Sequence, residues 1–147
     1  MLQHHDTVGA AAFALTDAAR LLRSEIDKSV VESGIELTPG AIRTLLLIQQ
    51  YQGVRQSVLA ERMGVEPMTV TAYLDRLEAR GLIERKVDPA DRRAKVVTVT
   101  DKVEHVFNEI RPILTRAYER AMSGIEPMAR TVVESSLERM RVNLSEV

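Results

Sequence analysis

The sequence predicts a mainly α-helical protein with a small β-hairpin wing, arranged as a winged helix-turn-helix between terminal helices. Apolar residues recur at spacings of three and four at both ends of the 147-residue chain. The middle of the chain holds two short helical segments separated by Gly64, followed directly by two runs of β-forming residues. This length is sufficient for one domain with a buried core.

The first long helical pattern covers residues 8–30. Its apolar positions, spaced three and four apart, are Val8, Ala11, Leu15, Ala18, Leu22, Ile26 and Val30. A helix of this length at the edge of a small domain has little of its own chain to pack on, so we expect a second copy of the protein to cover it.

The next segments predict a compact helical unit. Thr38 is placed as an N-cap before Pro39, and this helix is expected to end near Gly53. A helix of about two turns then starts with Ser57 as its predicted cap and ends at Gly64, a residue suited to a left-handed C-terminal position. The following helix opens with Pro67. The short connection between these two helices predicts a helix-turn-helix.

Two strands are expected next, in LIERKV and KVVTVT, with DPADRRA as the turn between them. We predict no other β structure. The turn carries Arg92, Arg93 and Lys95, which contribute little to the fold from such a position and therefore suggest an anionic partner outside the chain. Residues 54–100 hold nine Lys and Arg against seven Asp and Glu, a balance of +2, whereas the whole chain has a net charge of −1.

After Asp101 the helical period returns, and Pro112 is expected to kink this helix because it removes a backbone hydrogen bond. A last helix is predicted to start near Pro127. It carries Leu137, Met140 and Leu144 among its apolar positions.

The order helix, helix, hairpin is typical of proteins that read double-stranded DNA. The second helix, residues 66–80, would enter the major groove, and the wing would reach phosphates or the adjacent minor groove. Because Val70, Leu74 and Leu77 form the buried side of this helix, the open side must hold the candidate contacts. The predicted DNA-binding residues are Gln56, Ser57, Met68, Thr69, Thr71, Ala72, Arg76, Arg92, Arg93 and Lys95.

The run from Leu59 to Thr100, with its helix-turn-helix phrase and its wing phrase, resembles the MarR family of bacterial transcription regulators. The resemblance implies a homodimer on a pseudo-palindromic operator and a small-molecule pocket between the dimerisation helices and the DNA-binding lobe. It also implies that Arg93 approaches the minor groove and that Asp91 orients it. Residues 1–36 and 101–147 would form the dimerisation region, and residues 37–100 the winged helix-turn-helix lobe.

Two positions depart from the family pattern. Ala72 stands where many relatives carry Arg, and Glu66 replaces a small polar residue near the start of the recognition helix. The leading hypothesis is a ligand-responsive regulator, acting as a repressor. The near-neutral charge and Ala72 leave open an alternative, a helical protein-interaction module that has lost DNA binding.

Several other chemistries lack support in the sequence. The chain has no cysteine, which excludes disulfides and thiol redox sensing, and it has no signal peptide or run of about 18–20 apolar residues, so we expect a cytoplasmic protein away from membranes. No catalytic or phosphate-binding motif is present, so neither enzyme activity nor a cofactor is predicted.

Metal and effector sites are less well defined by the sequence. His4 and His5 are adjacent and His105 is the only other histidine, so no metal site is predicted. Arg20, Arg43 and Tyr51 have two open interpretations, an effector pocket for an anion or ordinary surface salt bridges.

Overall fold

The computed structural model describes residues 2–145 of the chain, with side chains from residue 7 onward, as helices around a three-stranded antiparallel sheet. The elements are α1 (Leu2–Ser33), α2 (Pro39–Gln50), β1 (Val54–Arg55), α3 (Gln56–Met63), α4 (Pro67–Ala79), β2 (Ile83–Asp88), β3 (Asp91–Val99), α5 (Val103–Ala121) and α6 (Pro127–Ser145). This architecture confirms the predicted fold class. The side chains of His4 and His5 lie outside the described part.

The helix boundaries follow local signals in the sequence. Thr38 caps α2, because its hydroxyl accepts a hydrogen bond from the Ala41 backbone N–H, and Pro39 occupies the first turn. Gly64 ends α3 with φ of 63°, a left-handed conformation that glycine adopts without a Cβ penalty. Pro67 opens α4 as predicted.

The start of α3 differs from the prediction. Arg55 holds the N-cap position without a side-chain capping bond, and Ser57 lies within the helix. The reason is that Val54 and Arg55 form a short strand, β1, which pairs with Val97 and Val96 of β3. The helix therefore starts directly after the strand. The expectation that the hairpin strands are the only β structure is wrong for the same reason.

The wing is longer and its turn is tighter than predicted. Strand β3 begins at Asp91, which pairs with Asp88, so only Pro89 and Ala90 connect the two strands. The cationic wing residues Arg92, Arg93 and Lys95 consequently lie along β3 rather than in a loop at the tip.

The core lies between α2, α3, α4, α5 and the inner side of the sheet. Its fully buried side chains include Ile42, Leu45, Ile48, Leu59, Val70, Leu74, Leu77, Ile83, Val97 and Ile110. Helix α2 also approaches α4 very closely, because buried Gly40 has the ring of Tyr73 where a Cβ would stand. Alanine does not fit at this position without displacing the ring, so Gly40 permits the contact between the two helices.

The terminal helices bury little of their apolar surface in their own chain. No described residue of α6 is buried, and Phe13 of α1 and Val132 of α6 are 69% and 63% exposed. Polar contacts attach α6 to the rest of the chain: Tyr118 hydrogen-bonds Glu134, and Arg141 donates to the Tyr51 hydroxyl at 3.3 Å. Within residues 2–145, no helix has the length and apolar character needed to cross a membrane.

Candidate nucleic-acid interface

Helix α4 presents two different stripes on its accessible side. Met68, Ala72 and Arg76, four residues apart, are exposed and face away from the core. The second stripe, Thr71, Asp75 and Glu78, points toward α3 and the wing, where each of the three side chains has a hydrogen-bond partner. Thr69 lies half-buried beside the first stripe.

A groove of about 590 Å³ runs between the start of α3, the start of α4 and strand β3. Six of the residues discussed as candidates line it together: Gln56, Ser57, Thr71, Asp91, Arg93 and Lys95. Arg92 and the exposed stripe of α4 lie outside the groove. The structure thus brings two of the wing cations, Arg93 and Lys95, and the start of the helix-turn-helix to one concave surface, which the sequence could only suggest.

Arg85 of β2 connects the wing to α4. Its Nε donates to Glu78 at 2.7 Å and its Nη2 donates to Asp75 at 2.6 Å, and its side chain is only 15% exposed. The hydrogen bond to Glu78 is the main reason that the pKa of Arg85 is raised above its ordinary value, with Asp75 adding to the rise and burial opposing it. This guanidinium compensates the negative charge of two exposed carboxylates on α4.

A second ion pair fixes the outer end of the wing. Arg55 donates to Asp88 at 2.6 Å, and the other carboxylate oxygen of Asp88 accepts the Ala90 backbone N–H at 2.9 Å. The Ala90 bond is the largest cause of the lowered pKa of Asp88, with Arg55 contributing in the same direction against burial. Arg55 therefore joins the helix-turn-helix to the turn of the hairpin.

The remaining cations of this surface have no carboxylate partner among the described residues. Arg85 and Arg55 are paired as above, whereas Arg76, Arg92, Arg93 and Lys95 form no ion pair and are exposed. Asp91 is close to Arg93 through the backbone: its carboxylate accepts the Arg93 N–H at 3.0 Å. Four positive side chains thus remain available: Arg76 on the first stripe of α4, Arg93 and Lys95 in the groove, and Arg92 elsewhere on the wing.

Two uncharged side chains in the groove are coupled. Gln56 donates its side-chain amide to the Thr71 hydroxyl at 2.9 Å, and Thr71 donates to the Pro67 carbonyl at 3.0 Å. Glu66 occupies the N-cap position of α4 without a side-chain capping bond and is exposed. Its carboxylate therefore adds negative charge near the start of the helix.

The three residues predicted for an effector pocket have separate intramolecular partners. Arg20 pairs with Asp17 on the surface of α1, and Arg43 contacts both carboxylate oxygens of Asp27 at 2.6 and 2.8 Å. Tyr51 accepts from Arg141, and the Arg62 guanidinium lies 4.1 Å from the centre of its ring.

A cavity of about 560 Å³ is present where the terminal helices meet the lobe. Residues 33–37, the end of α4 and the first turns of α5 line it, with Arg80, His105 and Glu109 as polar groups. Arg80 crosses this junction and donates to the Glu36 carbonyl at 2.7 Å and to its carboxylate at 2.5 Å. Among the described residues, no group of three or more His, Asp or Glu is placed to hold a metal ion.

Sequence reasoning missed the roles of Arg85 and of the pair Arg55 and Asp88. A signal for Arg85 was present, since it shares the strand face of buried Ile83 two residues earlier. A cation on the inward side of a strand requires a carboxylate partner on the element packed against it, which here is α4.

Comparisons with known proteins agree with this geometry. The model of the MarR family matches residues 37–95. A MarR-family transcriptional regulator from Rhodococcus sp. RHA1 has 25% sequence identity and a TM-score of 0.72, covering 90% of this chain and 93% of that one. One from Silicibacter pomeroyi has 24% identity and a TM-score of 0.77, covering 95% and 92%.

A third similar structure is CouR from Rhodococcus jostii RHA1 bound to p-coumaroyl-CoA. It has 23% identity and a TM-score of 0.67, covering 88% of this chain and 90% of that one. The chain thus carries a MarR-family match over the helix-turn-helix and most of the wing, and it shares the fold of MarR-family transcriptional regulators over about nine-tenths of its length.

Proposed function

We propose that this protein is a homodimeric, ligand-responsive repressor that binds a pseudo-palindromic DNA operator in the cytoplasm. The observation that carries the proposal is the distribution of charge on the lobe. Asp75, Glu78 and Asp88 are compensated by arginines within the chain, whereas four cations of the lobe are exposed and have no ion pair among the described residues: Arg76, Arg92, Arg93 and Lys95. Because the carboxylates are neutralised by arginines of the same chain, the unpaired cations give this surface a local positive charge. Such a surface favours a polyanionic partner.

Contacts on this face divide into two kinds. The exposed stripe of α4 is the part that would enter the major groove, where Met68 is suited to a thymine methyl group and Thr69 to a base edge or phosphate. Arg93 and Lys95, lining the groove beside it, would follow the DNA backbone and the adjacent minor groove. Ser57, at the start of α3, is suited to donate to a phosphate oxygen.

The proposal of a dimer rests on the terminal helices. Residues 1–36 and 101–147 would form the dimerisation region and residues 37–100 the DNA-binding lobe. The supporting observation is that α1 and α6 expose apolar side chains such as Phe13 and Val132, which a second copy would remove from water. Two-fold symmetry then places the half-sites about one helical turn, roughly 34–36 Å, apart.

Ligand response is proposed for the cavity of about 560 Å³ between the two regions. The structure of CouR holds p-coumaroyl-CoA, and a small-molecule effector is proposed for this chain by analogy with that related fold. An effector acts only if it binds the conformation that does not fit the operator more tightly than the one that does. Repression is proposed because it requires no surface beyond the DNA-binding one, since occupying the operator is sufficient.

The test compares two DNA duplexes of equal length by fluorescence anisotropy at about 0.15 M salt. One carries the region upstream of the gene that encodes this protein and the other a scrambled sequence. Tighter binding to the upstream duplex, together with less transcript in a reconstituted transcription assay, is expected. Equal binding to both duplexes contradicts operator recognition and favours the protein-interaction module. Tighter binding accompanied by more transcript contradicts repression alone.

A further inference from the structure

Gln56 and Thr71 form a bond between the two helices of the helix-turn-helix. The Gln56 Nε2 group at the start of α3 lies 2.9 Å from the Thr71 hydroxyl in the second turn of α4, and both residues are half-buried. The contact joins residues that are 15 positions apart in the chain. It lies in the groove that Arg93 and Lys95 also line.

Counting hydrogens assigns the direction of each bond. A threonine hydroxyl has one hydrogen, and Thr71 lies 3.0 Å from the Pro67 carbonyl, which only accepts. The Thr71 hydrogen is therefore used inside the helix, and the Thr71 oxygen accepts from the Gln56 amide. Thr71 consequently has no hydrogen left for a base, although the sequence placed it among the predicted DNA-binding residues.

Gln56 keeps the groups that a base edge requires. After the bond to Thr71, its amide retains one N–H donor and the carbonyl acceptor. An amide that offers one donor and one acceptor side by side matches the N7 and N6 groups of adenine in the major groove. Of the residues that line the groove, Gln56 is the one with a side-chain amide, whereas guanidinium and ammonium groups fit phosphates equally well.

We propose that Gln56 is a specificity-determining residue of this surface in addition to the exposed stripe of α4, reading an adenine in each half-site, and that Thr71 is a positioning residue that holds its amide. The proposal rests on the DNA-binding function proposed above. A base contact by Gln56 makes binding depend on the DNA sequence, whereas a phosphate contact by the same residue does not. The bond to Thr71 also fixes the glutamine rotamer before DNA binds, which reduces the ordering cost on binding.

The experiment selects duplexes from a randomised library with the full-length wild-type protein and its variants, and sequences the bound pool. The variants are Gln56→Ala, Gln56→Glu, Thr71→Val and Thr71→Ser, with Gln50→Ala as a matched amide control on an exposed part of α2. Thermal unfolding checks that each variant is folded.

We expect the wild-type pool to contain one adenine position in each half-site. Gln56→Ala should lose discrimination at that position on the order of ten- to a hundredfold. Thr71→Val should lower discrimination at the same position, whereas Thr71→Ser, which keeps the hydroxyl, should retain it. Gln56→Glu should shift the preference to cytosine, whose amino group donates to a carboxylate. Gln50→Ala should select the wild-type consensus.

Two results overturn the proposal while leaving the DNA-binding function intact. One is a uniform loss of affinity in Gln56→Ala with an unchanged consensus, which assigns Gln56 to a phosphate. The other is a change of the selected base in Thr71→Val but not in Gln56→Ala, which makes Thr71 the direct reader. A wild-type pool with no consensus contradicts both the inference and the proposed function.

Discussion

Arg85 connects the wing to α4 through its two ion pairs. Replacing it by Met should separate the contribution of this connection from that of direct DNA contacts. Methionine keeps an unbranched apolar stem of similar length but removes both charge-assisted hydrogen bonds, to Glu78 at 2.7 Å and to Asp75 at 2.6 Å. The arginine side chain is 15% exposed, whereas those of Asp75 and Glu78 are 60% and 44% exposed, so the freed carboxylates regain most of their hydration.

The expected loss of folding stability follows from the different exposure of the arginine and of the two acids. Fully exposed ion pairs contribute about 0.2–1 kcal/mol each, and hydrogen bonds to well-covered charged groups about 1.5–3 kcal/mol. Because both acids are partly solvated, the two Arg85 hydrogen bonds together should contribute less than two buried ones. We expect their removal to lower the free energy of unfolding by about 1–2 kcal/mol. For a protein of about 150 residues this lowers the unfolding midpoint by about 2–8 °C. Most molecules stay folded, because total stability is about 5–15 kcal/mol.

DNA affinity should fall as well, by a few-fold, because two uncompensated carboxylates then face the phosphates through screening water and salt. The slope of affinity against salt concentration should stay close to that of wild type, since Arg85 releases no counterion from DNA. Circular dichroism melting and anisotropy titrations between 0.05 and about 0.2 M salt measure the two effects.

Lys86→Met is the matched control, because this neighbouring cation is 72% exposed and pairs only with Glu84 at 3.3 Å. It should melt and bind almost as wild type does. If Arg85→Met behaves like Lys86→Met in both assays, the anchoring role of Arg85 is wrong. A second check is the triple variant Arg85→Met, Asp75→Asn, Glu78→Gln, which should recover part of the DNA affinity because the exposed negative charge is gone.

Three further predictions concern the DNA contacts, the dimer and the wing turn. Arg93→Ala should weaken operator binding by about 1–3 kcal/mol and reduce the salt slope by about 1, while Arg116→Ala on α5 leaves both unchanged; equal slopes in the two variants refute the contact. Val132→Glu should convert the proposed dimer to monomer in sedimentation velocity, whereas Val87→Glu, at a similarly exposed valine on the wing, should not. Asp88→Asn should flatten the decline of the melting temperature between pH 7 and pH 3. The folded-state pKa of this carboxyl is depressed, so its contribution is complete above the ordinary value of about 3.9 and is lost as the pH falls through the folded value; parallel declines contradict the assignment.

Local signals explain why most of the fold could be predicted. The Thr38 cap, Pro39, Gly64 and Pro67 each act within one turn of a helix, so their effect can be read from neighbouring residues. Strand β1 could not be predicted in this way, because two residues show no periodicity and are extended only through pairing with β3. The wrong cap assignment for Ser57 follows from that missed strand.

The sequence supplies candidate residues for the site but not the bonds between them. The cations of the wing are recognisable from their spacing, whereas the pairs Arg55 with Asp88 and Gln56 with Thr71 join residues 33 and 15 positions apart. Such partners depend on strand register and helix crossing, which are properties of the folded lobe. The distinction between a paired and a free arginine therefore required the structure.

The close approach of Gly40 to Tyr73 has a mechanical consequence for regulation. With the tyrosine ring seated against the glycine backbone, a residue larger than glycine at this position would push the ring away and loosen the contact between α4 and α2. For the proposed dimer, we therefore expect the separation of the two α4 helices to change by movement of the whole lobe, about the connections near residues 34–37 and 100–102. The proposed effector, bound in the cavity that residues 33–37 line, would then act on the first of these connections and leave the surface proposed to contact DNA unchanged in shape.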